Sequence, residues 1–351
     1  MQKTIVNILK FMLFLSIGVG ILYLVYRSQN TAYQAQCALD GVALEDCSLI
    51  NKIFTDFQRI NYFWIAVVLS CFIFSNWSRS QRWMMLLDSL GHQVKAGNAF
   101  WSVNLGYFAN LGLPRMGEVV RGATLARYEK IAVEKTMGTI VVDRIVDMVS
   151  LLAVVSLAFF LEYNTLYTYL SEQLGKKNGG GLFQNPIVQG ILVAGVVGCL
   201  LVFLFWKKIM QLAFVQKIMG IAVGFWEGIK SIKDVKNPWI FVLHSLNVWI
   251  MYFLMAYFCF FAFPPTAHLP IIVALMVFTF GSFGVLIPSP SGMGTYHALV
   301  IAALSIYGIN GGDAFSFANI FFFSVNIFCC IVLGILALII LPIINKNQNA
   351  I

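Results

Sequence analysis

The chain has 351 residues, of which 60% are hydrophobic and only 11% are Asp, Glu, Lys or Arg. Soluble domains carry about 25% charged residues, so this composition cannot cover a water-facing surface and excludes a soluble enzyme fold. A net charge of +8 would suit nucleic acid in a soluble protein. Here the basic residues sit in short loops beside apolar runs, with no aromatic-and-basic interleaving, and no nucleic-acid partner is expected.

A helix needs about 20 apolar residues to cross a hydrocarbon core. Lys3 and Lys10 precede an apolar stretch ending near Tyr26, which is long for a signal peptide and has no small-residue cleavage site after it. It reads as a retained first helix. Six segments are expected to cross fully: Thr4–Tyr26, Ile60–Trp77, Met137–Leu161, Ile187–Trp206, Pro238–Phe263 and Phe315–Leu341. Two regions resist that reading. Gly97–Pro114 contains Asn98, Asn104 and Asn110 and breaks at Leu113-Pro114-Arg115, and its continuation to Thr136 is heavily charged. Ile271–Ile309 is two apolar arms around Pro288-Ser289-Pro290-Ser291-Gly292-Met293-Gly294. Prolines and glycines at membrane depth are tolerated where the backbone lines a cavity or is buried in protein. Both regions are expected to be re-entrant helical hairpins.

Loop charge sets the orientation. Arg27–Arg59 holds three basic and four acidic residues, Arg79–Lys135 eight basic against four acidic, and Lys207–Lys236 six against two. Basic loops alternate with balanced ones, which puts both termini, Lys217 and Lys346 in the cytoplasm of a bacterial-type inner membrane. The loop holding Cys37 and Cys47 then faces outward, where a disulfide is permitted. The remaining five cysteines lie in apolar runs and read as small hydrophobes. The expected fold is an all-α polytopic membrane protein, one membrane domain of six transmembrane helices and two hairpins. Residues 1–161 and 187–351 form inverted halves, joined by an extracytoplasmic linker, 162–186, that includes Gly179-Gly180-Gly181. Paired broken helices in inverted repeats point to a transporter with its site between the breaks.

Several polar residues are candidates for that pathway. Asp143 and Asp147 lie one turn apart, and Arg144 can pair with Asp147; ionisable groups there must face the bundle or water. Glu118 and Arg121 follow the first break, where an arginine fork beside a half-helix N-terminus would suit an anionic headgroup; the plainer reading is a solvated interfacial helix. His297 follows the second break, and a lone histidine among apolar residues usually serves packing, as do His244, Asn247 and Asn326. Four scattered histidines make a metal site unexpected, and no cofactor is expected. Gly281-Ser282-Phe283-Gly284 is not a nucleophile elbow. Trp77, Trp83, Trp206 and Trp239 read as membrane-belt anchors.

The run from Asn110 through Pro114, Arg115, Gly117 and Glu118 to Arg121 resembles the signature of the lysylphosphatidylglycerol synthase transmembrane, or flippase-like, family. Arg144 and Asp147 match its R-x-x-D element, and Pro288, Pro290, Gly292 and Gly294 its second break. Many relatives have Glu where this chain has His297. Bifunctional members carry a soluble aminoacyl-transferase domain after the membrane part; the chain ends at Ile351 without it, so the resemblance implies the translocating half. The expected substrate is a membrane lipid, phospholipid or polyprenyl-linked, and a separately encoded lipid-modifying enzyme or a second copy of the chain are candidate partners. Arg115, Glu118 and Arg121 would meet the headgroup, while Arg144 and Asp147 hold the bundle. The rival expectation is a membrane-embedded transferase using Glu118 and Asp147 as its acid/base pair.

Overall fold

The computed structural model of the chain describes residues 2–39, 47–112, 116–178, 235–287 and 289–346. Among them, every regular element is helical. In chain order these are α1 (Gln2–Leu39), α2 (Leu49–Arg59), α3 (Tyr62–Ser89), α4 (Ala96–Gly112), α5 (Met116–Glu129), α6 (Val133–Leu161) and α7 (Tyr163–Asn178). After the undescribed stretch come α8 (Pro238–Ala262), α9 (Ile271–Leu286), α10 (Thr295–Ile306) and α11 (Gly311–Phe321). A π-helical segment (Phe322–Cys329) then leads into α12 (Cys330–Ile344). Residues 1–154 and 234–351 form one compact unit; 155–233, of which 155–178 are described, form another. The expected span Ile187–Trp206, the triple glycine, Trp206, Lys217, Cys199, Pro114, Arg115 and Pro288 lie outside the described residues.

Three helical stretches among the described residues are long and apolar enough to cross a membrane: α6, α8 and the run Gly311–Ile344. The pair α2–α3 passes the same test as one span bent by 85°. The protein is therefore a membrane protein, as composition demands. Its exposed leucines, isoleucines and phenylalanines, such as Phe160, Leu243 and Ile343, are what a hydrocarbon solvent requires.

Three sequence expectations are corrected. Arg27–Arg59 is mostly helix: α1 continues through good helix formers such as Gln34, Ala35 and Gln36 to Leu39, and α2 follows. A Cys37–Cys47 disulfide, with Cα atoms 6.3 Å apart, ties the two together. Ser48 caps α2 by accepting from Asn51 N–H, and Lys52 holds α2 against α11 through Asp56 and Asp313, each at 2.6 Å. Second, α3 does not end at Trp77 but runs to Ser89, which makes Arg79 and Arg82 helical and buried. Third, Trp83 is no belt anchor: it is fully buried and donates to Thr139 Oγ1 at 2.9 Å. Trp77 and Trp239 stay exposed.

Both broken regions fold as helix, break and helix, with the two arms packed on each other. In the first, the arms cross where Gly106 meets Gly117; a Cβ on Gly106 would lie 2.7 Å from Gly117 O. In the second, a Cβ on Gly284 would lie 2.6 Å from Tyr296 Cα. Small residues at such crossings let backbones approach, which is how packing drives association in hydrocarbon. The first hairpin packs against α3 and α12, the second against α8, α11 and α1, while α3 and α8 pack on each other. Buried and half-buried amides hold these contacts: Asn76 donates to Asn104 at 2.8 Å, Asn247 to Ser78 at 2.6 Å, and Asn98 and Asn345 exchange bonds at 3.0 and 2.7 Å.

The crossings are directly testable. Gly106→Ala and Gly284→Ala should each cost about 1–3 kcal/mol through overpacking, read as a lower Tm in detergent. Gly138→Ala, where nothing lies within 4 Å, should hold or raise the Tm. Equal losses at all three positions would contradict the close-crossing argument.

Candidate functional site

Two arginines three residues apart on α3 face two aspartates four residues apart on α6. Arg82 clasps Asp143 through Nε at 2.9 Å and reaches Asp147 Oδ1 through Nη2 at 2.7 Å. Arg79 Nη1 lies 2.7 Å from Asp147 Oδ2 and 3.4 Å from Asp143 Oδ2. From α5, Arg121 Nη2 completes Asp143 at 2.8 Å, and its guanidinium stacks 4.6 Å over the Trp83 ring. All five ionised side chains are buried. Charges removed from water are tolerable only when paired and hydrogen-bonded, and here each Asp143 oxygen accepts two arginine N–H bonds and each Asp147 oxygen at least one.

At the edge of this cluster the environment opens. Arg144, with 44% of its side chain exposed, lies 2.7 Å from Glu118 Oε1 and 3.6 Å from Asp147 Oδ2. Arg79 Nη2 donates to Tyr252 OH at 3.3 Å, and Tyr252 shares a 2.8 Å hydrogen bond with Tyr107 OH. These groups form one end of a cavity of about 340 Å³. Its remaining walls are mostly apolar: Met148 and Leu151 from α6, Val285 and Leu286 from α9, and Val325 from the π-helical segment, with Trp249 of α8 and Ser282 of α9 beside them. Asn326, on the same segment, also lines it. Insertions of π-helix often mark functional positions because they shift side chains out of the α register.

Of the expected pathway residues that are described, Arg144 and Asp147 line this cavity, and Glu118 is paired to Arg144. Arg121 is not among the lining residues; its Nη2 donates to Asp143 Oδ2. Asn110 closes the first break: its Oδ1 accepts from Gly117 N–H at 2.8 Å, satisfying a donor left over at the start of α5. At the second break Ser291, Gly292 and Gly294 adopt positive φ of 49°, 82° and 82°. Thr295 Oγ1 ties that break to Gly284 O at 2.6 Å. Pro290 begins a short 3-10 turn there. His297 is fully buried among Tyr296, Phe315 and Phe322, with Nδ1 accepting from Gly294 N–H at 3.4 Å. Among the described residues, none from either break lines the cavity; Asn110 and Thr295 there bond backbone groups of the two arms. Arg121 is bound into the buried cluster, whereas Arg144 lines the cavity with nearly half its side chain exposed.

Sequence reasoning misses Arg79, Arg82, Tyr107, Trp249 and Tyr252, because the fall in hydropathy after Trp77 ends α3 too early and the tyrosines carry no spacing signal. Two arginines at i, i+3 matching two aspartates at i, i+4 are the readable clue to the α3–α6 clasp.

With this geometry in view, comparison with known families is decisive. The profile of the lysylphosphatidylglycerol synthase TM region matches residues 47–341. The chain belongs to that family. No curated protein and no solved structure matches it. The matched span contains the arginine–aspartate clasp, both hairpins and every residue lining the cavity.

The clasp and the rim should respond differently to substitution. Arg82→Ala breaks buried ion pairs to both aspartates, leaving Asp143 to Arg121 and Arg79 and Asp147 to Arg79, and should cost about 3–5 kcal/mol, enough to lower the Tm sharply or prevent folding. Arg144→Ala removes a half-exposed partner and should cost about 0–1 kcal/mol. Thermal unfolding of both variants in detergent checks the contrast, and an Arg144→Ala loss as large as that of Arg82→Ala would contradict the assigned roles.

Proposed function

We propose that the protein moves a lipid across the membrane, with the headgroup passing the polar end of the α6–α9 cavity while the acyl chains stay in hydrocarbon. The observation that carries this reading is the cavity's division into a charged, tyrosine-lined end and apolar walls whose helices present exposed hydrophobic side chains, among them Met148, Val285 and Leu286. A headgroup taken alone through hydrocarbon would lose its hydration uncompensated; a polar groove with lateral access removes that cost. Membership in a lipid-synthase membrane family supports a lipid as the substrate. The rival transferase reading needs a free acid/base pair, but Glu118 is held by Arg144 and Asp147 by Arg79 and Arg82, so the geometry favours transport.

In this reading each hairpin enters and leaves on one side, the two halves are inverted, and the paired α3 and α8 lie at the pseudo-symmetry axis. The membrane is a bacterial-type inner membrane with both termini cytoplasmic, and the Cys37–Cys47 disulfide agrees with an oxidising outer side. A separately encoded lipid-modifying enzyme would supply the substrate.

Two experiments test this. In reconstituted vesicles carrying headgroup-labelled lipid, Leu151→Trp and Ser282→Phe should fill the cavity and cut translocation about 10-fold or more, with Tm preserved. Normal rates in both variants would sink the cavity route. For orientation, an impermeant thiol reagent added to intact spheroplasts after reduction should label Cys37 and Cys47. Labelling only after lysis, although both react in detergent, would invert the topology.

A further inference from the structure

The charges around the polar end of the cavity do not balance. Among the described residues, Arg79, Arg82, Arg121 and Arg144 meet Asp143, Asp147 and Glu118, four positive charges against three negative. A surplus charge held in a low-dielectric wall is unfavourable unless a counter-charge sits beside it.

The hydrogen-bond inventory has the same sign. Arg79 Nε and Trp249 Nε1 are buried without an acceptor, and both residues line the cavity. Tyr252 accepts from Arg79, and whichever way the Tyr107–Tyr252 bond runs, one hydroxyl proton of that pair has no acceptor among these bonds. The neighbouring carboxylates are already engaged by arginines. What the wall lacks is an acceptor-only group carrying one negative charge. A phosphodiester is that group. A phosphomonoester brings more charge than the surplus, and a zwitterionic headgroup brings an ammonium that finds no free carboxylate. The volume of about 340 Å³ holds a headgroup and the start of a chain rather than a whole diacyl lipid.

We propose that the cavity selects lipids whose headgroup carries a single net negative charge on a phosphodiester, seated at Arg79, Arg144, Trp249 and the tyrosine pair, with one acyl chain leaving between α6 and α9. This rests on the lipid-transport reading and adds the charge class to it.

The test is native mass spectrometry of the detergent-solubilised protein with phosphatidylglycerol, phosphatidylcholine and phosphatidic acid of identical acyl chains. Soluble glycerol phosphate serves as a competitor. Phosphatidylglycerol should bind about 10-fold tighter than phosphatidylcholine, as one charge-assisted contact implies. Arg144→Gln, which brings the balance to zero, should abolish that preference. Glu118→Gln, which raises the surplus, should shift preference toward phosphatidic acid. Both positions are partly exposed, so the fold should survive. Leu151→Trp should weaken all three lipids, placing them in the cavity. Equal binding of phosphatidylcholine and phosphatidylglycerol, both displaced by Leu151→Trp, would overturn charge selection and leave lipid transport standing. Displacement of phosphatidylglycerol by equimolar glycerol phosphate would overturn the acyl-chain part of the proposal. Lipid binding indifferent to Leu151→Trp would overturn both this proposal and the cavity route beneath it.

Discussion

Two aspartates on α6 buried against three arginines from α3 and α5 are the constraint on which the rest of the molecule depends. Neither set is tolerable alone inside a membrane bundle, since each unpaired ion would cost several kcal/mol. Together they lock α3, α5 and α6 in one register, because Arg82 and Arg79 each reach both aspartates and Arg121 reaches Asp143. Hydrophobic packing could not enforce that register, for lipid tails are as apolar as the side chains that would slide past them. Trp83, trapped between the Arg121 guanidinium and Thr139, extends the lock to the neighbouring turn.

From this lock follows the geometry of the cavity. Fixing Asp147 fixes the face of α6 that carries Arg144, Met148 and Leu151, and so decides which groups meet the opening. The opposite wall is set by a different device. Gly281 and Gly284 let α9 lie against Tyr296 of α10, and Thr295 closes the turn with positive-φ residues around it. One wall is therefore held by electrostatics and the other by close backbone packing. The polar residues at the two breaks, Asn110 and Thr295, satisfy backbone groups that the broken helices leave over.

Much of this is legible in the residues alone. Helix–break–helix at Asn110–Gly117 and around Pro290–Gly294 follows from the proline and glycine punctuation, and the importance of Asp147 from its place in an apolar run. The arginines of α3, by contrast, read as part of a loop. Hydropathy averages over a window, so a helix that turns from lipid-facing to bundle-facing midway looks as though it ends. The pairing of Arg121 with Asp143 and of Arg144 with Glu118 is illegible for a related reason. Periodicity says which residues share a face, but not which neighbour that face meets.

The sequence by itself determined the solvent and the class of fold: a chain this poor in charge must be membrane-embedded, and apolar runs near about 20 residues select helices, which satisfy their backbone hydrogen bonds within the segment. It also determined where the helices break and, through its family signature, the association with lipid chemistry. Only the tertiary structure decided which ion meets which, because the partners of Asp143 come from positions 79, 82 and 121. Such separations are set by how helices pack, and helix packing is a property of surfaces brought together from distant parts of the chain, not of any local run of residues.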